Sequence, residues 1–455
     1  TPLYSSAASD VYKRQMQEYI SKLLDRSEMR IVDRQVNPKH ELAAVVARSQ
    51  KESALPILFR RVQGSEFPVV CNLYGSRSRL KEMVGADDNG FCEHWAKTIN
   101  DAMLLGDDYP RVVNMSDELQ TGHLSDLPQI VWREKDAGPY ITAGVAIAKD
   151  PETGVPNLAF SRAMMIDDKE MRCCIDVVQD LAKYHAKAAA MNKPLEMAWL
   201  IGVSPAVFMA ACTSISLDQD ELKIAAQLNG GALPMRQCQE LDLLIPADTG
   251  IVIEARIRPD ERRPEAPFGE FMGYYCKENR GYVADIAAVS WRTGAYFQGL
   301  LCGSRDDLPA IYATYATRVY RNLIGELPGI IDVACNTTLY CTIVKIDKQY
   351  EGHPQHVMLK VFATNPHYNF ACMVVDSDID INNLNDVWWA FLARGPVDKR
   401  TMLIENIPGG YEYPEDNLHR GRIGIDATAP YGRLDEFRRT STPGEDTLNL
   451  SDYFV

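Results

Sequence analysis

Apolar positions recur at two spacings along the chain, and their alternation predicts strands and helices taking turns. In 17–26, Ile20, Leu23 and Leu24 stand at helical spacing. Strand-like runs follow at 67–74, 128–133 and 140–148. Over 177–191 a helical face collects Val178, Leu181, Ala182, His185 and Ala189, so His185 is expected as a satisfied core histidine. Residues 195–203 read as a buried strand, and P-A-V-F-M-A-A from Pro205 as a short helix. In 251–257, Ile251, Ile253, Ala255 and Ile257 point one way, and Val252, Glu254 and Arg256 the other. A charged, proline-bearing loop is expected from Arg258 to Pro267, then a strand at 282–291 and a helix over 309–325. Alternation returns at 340–346 and 356–362, and 385–394 reads as a helix. Roughly the last 40 residues are polar and rich in Pro and Gly, and read as an arm.

No repeat interrupts this order. Boundaries are expected near 115 and 310, and residues 1–15 read as a non-native or disordered lead before Met16. At 455 residues the chain has room for two or three domains with buried cores. Lys plus Arg number 48 and Asp plus Glu 62, a net charge of −14. Such a balance gives no general attraction for nucleic acid or anionic membranes. No apolar run reaches the ~18 residues of a membrane span, and no basic segment followed by an apolar one opens the chain. Eleven cysteines without a framework spacing read as reduced thiols of a cytoplasmic protein.

Phosphate-loop, dinucleotide and nucleophile-elbow motifs are absent, as are paired C-x-x-C knuckles. His353 and His356 form H-x-x-H, but on a strand the rings would face opposite ways. Cys173 and Cys174 read as packing, and Cys335 and Cys341 lie close enough in sequence to meet across a turn.

Two segments carry candidate chemistry. In Pro264–Tyr275, two prolines and two glycines shape a stiff loop that holds Glu265 and Glu270 beside aromatic side chains. Burial beside aromatics raises a carboxyl pKa and suits a general acid; two solvated surface glutamates are the plainer alternative. In Val155–Met164, Arg162 stands among Ala, Met and Phe. Buried, it needs a carboxylate partner and can clamp a substrate carboxylate; otherwise it snorkels from a strand.

These segments resemble the UbiD-like decarboxylases, which use prenylated FMN. Glu265 to Tyr275 is similar to the family's E-G-P-F-G-E-x-x-G-Y signature, and Asn157 with Arg162 to its second motif. M-M-I-D-D-K, V-V-Q-D-L at 177–181, V-S-P-A-V-F-M-A-A at 203–211, Glu221 and D-V-W-W-A-F-L-A-R at 386–394 follow in the family's order. The resemblance runs from about residue 30 to about 415.

It implies an α+β fold: a split β-barrel flavin-binding domain over 116–310, between an N-terminal α/β region (16–115) and a C-terminal α/β oligomerisation domain with a polar arm (311–455). It implies an Arg162–Glu265–Glu270 triad with Glu270 as proton donor and Glu265 paired to Arg162. Asn157, Ser161, Arg162, Gln179 and Pro205 would contact the cofactor. Asn157, Asp180 and Glu221 would hold Mn2+ or Mg2+ at its phosphate, and Ala210, Ala211 and Thr213, with Glu221 and Arg394 nearby, a K+. The implied substrate is an aromatic, heteroaromatic or α,β-unsaturated carboxylic acid, reversibly decarboxylated. A flavin prenyltransferase would supply the cofactor, and a homodimer or higher homo-oligomer is expected.

Asp180 departs from the histidine frequent in relatives, though Asp is a sound ligand for hard cations. Thr364–Tyr368 lacks the lysine some relatives place there. Ile407–Pro414, with Gly410 and Glu412, implies a roomier, more polar pocket, and Phe271 replaces a frequent Met. Two other classes stay open at this level: a split-barrel FMN oxidoreductase, and a non-catalytic subunit of a multi-component carboxylase.

Overall fold

A computed structural model describes residues 16–86, 90–115, 119–176, 179–276, 280–335, 340–364, 368–407, 421–444, 448–449 and 453. The chain divides into two compact units, Thr1–Arg318 and Val319–Val455.

The first unit is built on an antiparallel nine-stranded sheet. Its strands are β1 (Leu119–Thr121), β2 (Tyr140–Ile141), β3 (Val145–Lys149), β4 (Pro156–Phe160), β5 (Ala163–Met165), β6 (Glu170–Cys173), β7 (Leu195–Ile201) and β8 (Ile251–Pro264). A small hairpin, β9 (Phe268–Gly269) and β10 (Tyr275–Cys276), precedes the last, β11 (Arg280–Arg292). The spatial order is β2-β5-β6-β11-β8-β7-β3-β4, with β1 also on β11. Strand pairing is shifted between Glu254 and Ala255 and between Ile257 and Arg262. Such bulges bend a strand, and the sheet is a curled half-barrel.

Apolar side chains cover both faces of this sheet. Ile251, Ile253, Ala255 and Ile257 enter one core cluster, with Met197 and Trp199, while Val252 enters another with Ala198 and Leu200. Residues alternate between faces along a strand, so these central strands are buried on both sides. Glu254, on the face opposite Ile253, is fully buried and accepts from the amides of Gln239, Glu240 and Leu241 at 2.8, 2.8 and 3.2 Å. His185, on helix α1 (Asp180–Ala190), donates through Nε2 to the Arg258 carbonyl at 2.9 Å, the satisfied core histidine its spacing predicts.

Two short helices, α2 (Pro205–Ala211) and α3 (Leu222–Leu228), pack on the sheet. A four-stranded sheet joins Arg30–Val32, Ile57–Phe59, Val69–Cys71 and Phe297–Gln298. A three-stranded one joins Leu244–Pro246, Leu233–Gln237 and Pro110–Val112. The second unit carries a five-stranded sheet: Ile330–Ala334, Cys341–Ile346, Ala371–Asp376, Arg422–Ala427 and Thr401–Ile404, in that order.

Several sequence expectations are corrected. Arg258–Pro264 is strand, because its charges pair: Arg258 with Asp285 and Glu261, and Arg263 with Glu170 and Glu261. Arg262 also lies over the Tyr282 ring, at 3.4 Å. Residues 128–133 form no strand. Only Val131 bridges, to Lys39, although Ile130 and Trp132 are buried. Residues 356–362 lie in a helix, His353–Thr364, since Val357, Met358, Val361 and Phe362 are buried at three-and-four spacing. His353 and His356 are therefore helical. Inside the expected arm, Arg422–Ala427 is an interior strand, parallel to Ala371–Asp376. No disulfide joins any of the described cysteines. Residues 1–15, Val177, Val178, 365–367 and 408–414, including Gly410 and Glu412, lie outside the described residues.

Candidate active site

The chain leaves β4 through Ser161 and Arg162 and returns as β5. Ser161 is held twice. Its hydroxyl donates to the Cys174 carbonyl at 3.0 Å, and its carbonyl accepts from Trp199 Nε1 at 2.9 Å. That anchor directs Arg162 toward the end of β8. Arg162 Nε and Nη2 donate to the two oxygens of Glu265 at 2.8 and 3.0 Å, a bidentate fork. Nη1 donates to Glu270 Oε1, and Nη2 also reaches Cys276 Sγ at 3.5 Å. The Phe268 ring lies under the guanidinium, 4.6 Å to its centroid.

Side-chain exposure is 14% for Arg162, 0% for Glu265 and 8% for Glu270. Burial works against the charge on Arg162, but Cys174, Glu265 and Glu270 outweigh it and hold its proton well above the usual range. Burial pushes the Glu265 carboxyl above its ordinary value; the Arg162 fork opposes this and Glu270 adds to it. The structure thus ties both glutamates to one arginine, where pairing with Glu265 was the expectation.

Glu270 sits on the tight turn of the β9–β10 hairpin. Its amide donates to the Tyr274 carbonyl at 2.8 Å, and its carbonyl accepts from Gly273 at 3.0 Å. Residues 133–140 brace this hairpin from beneath. Gly269 N–H donates to Asp136 Oδ1 at 2.9 Å, Ala137 N–H to the Pro267 carbonyl at 2.9 Å, and the Tyr140 hydroxyl to the Glu265 carbonyl. A methyl group at Gly281 would stand 2.5 Å from Glu265 Cβ, so β11 touches Glu265 only because that position is glycine. Asp136, Tyr140 and Phe268 carry no role in the sequence reading. No local spacing marks Asp136 and Tyr140, which lie more than a hundred residues before the hairpin.

A second group lies at the start of β4. Asn157 Nδ2 donates to Glu221 Oε1, and Leu158 N–H to Glu221 Oε2, each at 3.1 Å. Asp180, first residue of α1, pairs with Lys183 at 2.8 Å. Gln179 Nε2 donates to the Phe160 carbonyl at 3.2 Å, and Pro205 opens α2. Burial, with Asp220 and Asp180 adding, pushes the Glu221 carboxyl up to about 8. Asn157 Oδ1 is buried without a hydrogen-bond partner.

No group of three His, Cys, Asp or Glu poised for a metal occurs among the described residues. The unpartnered Asn157 oxygen beside the buried Glu221 carboxyl nevertheless has the chemistry that a hard divalent cation takes. Such a cation would satisfy the orphaned Asn157 oxygen and offset the buried Glu221 charge. The carbonyl of Ala210 accepts from Thr213 N–H at 2.9 Å, and Thr213 Oγ1 donates to the Met209 carbonyl at 2.8 Å. Arg394 lies in the second unit, paired to Asp376 at 2.5 Å and Asp378 at 2.6 Å. A cavity of about 650 Å³ opens beside Pro156, Asp220 and Leu222, next to the Asn157–Glu221 pair; Arg162, Glu265 and Glu270 do not line it.

Three family models match the chain in order. They are the 3-octaprenyl-4-hydroxybenzoate carboxy-lyase N-terminal domain over residues 20–99, its Rift-related domain over 108–305 and its C-terminal domain over 310–427. The chain belongs to the UbiD family and is an enzyme of this carboxy-lyase class. Anhydromevalonate phosphate decarboxylase of Methanothermobacter thermautotrophicus is 26% identical, over 94% of this chain and 99% of that protein. The UbiD-class enzyme HmfF of Pelotomaculum thermopropionicum, solved with FMN, is 27% identical with a TM-score of 0.90, covering 97% of this chain and all of that one. An evolved dimeric form of HmfF, solved with prFMN, gives a TM-score of 0.86 at 27% identity, again over 97% and 100%. No described helix is long and apolar enough to cross a membrane.

Proposed function

We propose that this chain reversibly decarboxylates an aromatic, heteroaromatic or α,β-unsaturated carboxylic acid with prenylated FMN. The observation that carries the reading is the cluster of Arg162, Glu265 and Glu270: one arginine forked to a buried glutamate and bonded to a second on a braced turn. Family membership and the prFMN held by the related enzyme support the cofactor assignment.

In this reading the curled sheet forms the flavin-binding split barrel, and Ser161, Arg162, Gln179 and Pro205 border the cofactor. Asn157, Asp180 and Glu221 would hold Mn2+ or Mg2+ for the cofactor, and the carbonyls near Ala210, Ala211 and Thr213 would hold a K+. When bound, the modified flavin supplies the electron sink that lets the carbon bearing the carboxylate lose CO2. Arg162 receives the substrate carboxylate and aims Glu270. A Glu270 carboxyl oxygen delivers a proton to the carbon that has lost CO2. Glu265 keeps Arg162 oriented, and burial of the cluster excludes bulk water from that transfer. The chain acts as a homodimer or larger homo-oligomer, with a flavin prenyltransferase supplying the cofactor.

Co-expression with a flavin prenyltransferase tests the reading. The purified protein is expected to release CO2 from at least one acid of an aromatic, heteroaromatic and acrylic panel, and to exchange deuterium at the reacting carbon. Loaded protein that is inert across the panel overturns it.

A further inference from the structure

Glu270 rides on one of the least self-sufficient elements of the first unit. Its hairpin pairs only Phe268 with Cys276 and Gly269 with Tyr275, and forms a sheet of its own apart from the nine-stranded one. A hairpin of that size is marginal in water by itself. The bonds from Glu270 N–H to the Tyr274 carbonyl and from Gly273 N–H to the Glu270 carbonyl close the tip on itself and fix it to nothing else. The Glu270 carboxyl is tethered to Arg162. In the decarboxylase reading that tether loosens when the carboxyl turns to the reacting carbon, so other contacts must hold the backbone at that moment.

The turn Arg133–Asp136 supplies them. It closes through Asp136 N–H to the Arg133 carbonyl at 3.2 Å and through Arg133 N–H to Asp136 Oδ2 at 2.8 Å. The other carboxylate oxygen, Oδ1, accepts from Gly269 N–H at 2.9 Å, one residue before Glu270. Neighbouring contacts run the same way. Ala137 N–H donates to the Pro267 carbonyl at 2.9 Å, and Lys135 N–H to the Tyr275 hydroxyl at 3.2 Å. The Lys135 ammonium also lies over the Tyr275 ring, 5.7 Å to its centroid. A methyl group at Gly269 would stand 2.7 Å from Arg133 Cγ, so the turn lies directly against the hairpin backbone. Both strands of the hairpin are thus held from one short segment.

Among the described hydrogen bonds between turn and hairpin, Asp136 makes the one that uses a side chain of the turn; the others use its backbone. Its two oxygens do separate work, one shaping the turn and one gripping Gly269. A carboxylate accepts on both sides, whereas an asparagine accepts with one oxygen and would set its NH2 against the second N–H. We propose that Asp136 is a positioning residue of this site, which clamps the hairpin at Gly269 and so fixes where the Glu270 carboxyl stands once it is free of Arg162. The catalytic consequence rests on the decarboxylase reading; the clamp itself does not.

The test begins with the full chain without cofactor. Hydrogen exchange, read by mass spectrometry on fragments spanning 267–276 and 195–201, compares the parent with Asp136→Asn and Asp136→Ala. Exchange across the hairpin is expected to quicken by about 10-fold in Asp136→Asn, the worth of one hydrogen bond to a carboxylate, and by more in Asp136→Ala. The central strand Leu195–Ile201 is expected to keep the parent rate, and Glu134→Gln, at an exposed position of the same turn, to match the parent throughout. In the loaded enzyme Asp136→Asn is expected to lower kcat by about 10–100-fold with KM little changed, since a displaced donor loses rate without losing substrate binding. Unchanged exchange across the hairpin overturns the clamp. Equal quickening of hairpin and central strand overturns it too, because that marks a role in the stability of the whole unit. Faster hairpin exchange with an unchanged kcat overturns the positioning role. A parent inert to every acid sinks the decarboxylase reading, and the exchange comparison still decides the clamp.

Discussion

Arg162 grips both carboxylate oxygens of Glu265, through Nε at 2.8 Å and Nη2 at 3.0 Å, while its remaining terminal nitrogen holds Glu270. The fork occupies the Nε–Nη2 edge of the guanidinium and leaves Nη1 to Glu270, so the place of Glu270 follows from the grip on Glu265. Lysine offers no such fork.

Arg162→Lys is expected to weaken turnover by at least about 100-fold, because a point charge cannot hold two carboxylates in fixed directions. Arg162→Ala leaves Glu265 buried without a partner and should cost about 3–5 kcal/mol of stability. Chemical denaturation measures the loss, and Glu265→Gln in the same chain should recover much of it. Equal stability of Arg162→Ala and the parent would show that the fork does not hold Glu265 in solution.

Glu270→Gln keeps the shape of the hairpin and removes the proton. Turnover of the flavin-loaded enzyme is expected to fall by at least about 100-fold while the protein still retains flavin. The visible spectrum reads retention, and CO2 release reads turnover. Normal decarboxylation by this variant would remove Glu270 from the donor role.

Gly303→Ala places a methyl group 2.7 Å from the Phe271 carbonyl oxygen at a backbone φ of +74°. The hairpin must shift, at an expected cost of about 1–3 kcal/mol. Turnover should suffer more than the unfolding midpoint indicates, since misplacement of a donor by about 1 Å is costly in itself.

Glu221→Gln is expected to weaken Mn2+ binding by more than the roughly 10–100-fold typical of residues that only orient ligands. Mn2+ titration followed by electron paramagnetic resonance gives the affinity. Unchanged affinity would place the metal elsewhere.

Burial lowers the His185 pKa below its ordinary value of 6.5, and the bond to the Arg258 carbonyl only partly offsets this. The unfolded chain therefore takes up the proton first as pH falls. Stability is fully present above about 6.5 and declines below it, toward the lower pKa of the folded state. Denaturant titrations across that range should show the decline, and His185→Asn should flatten it.

Much of the molecule is legible as periodicity. The alternation in 251–257 and the helical spacings read in 17–26 and 385–394 reflect side chains meeting an apolar surface at a fixed angle, and the structure has a strand over Ile251–Pro264 and helices over Met16–Asp25 and Leu384–Ala393. The motif around Glu265 and Glu270 is equally local, because Pro, Gly and Glu in that order dictate a turn. Local pattern misjudges Arg258–Pro264, where charges pair across strands instead of meeting water, and Arg422–Ala427, where a polar neighbourhood hides an interior strand. It says nothing of Asp136 or Tyr140 as braces of the segment that carries the glutamates. Their meeting depends on which strands pair and in what register, and that is settled by the cooperative burial of a whole sheet. Spacing along the chain sets the face a residue shows, while packing of distant segments sets what that face meets.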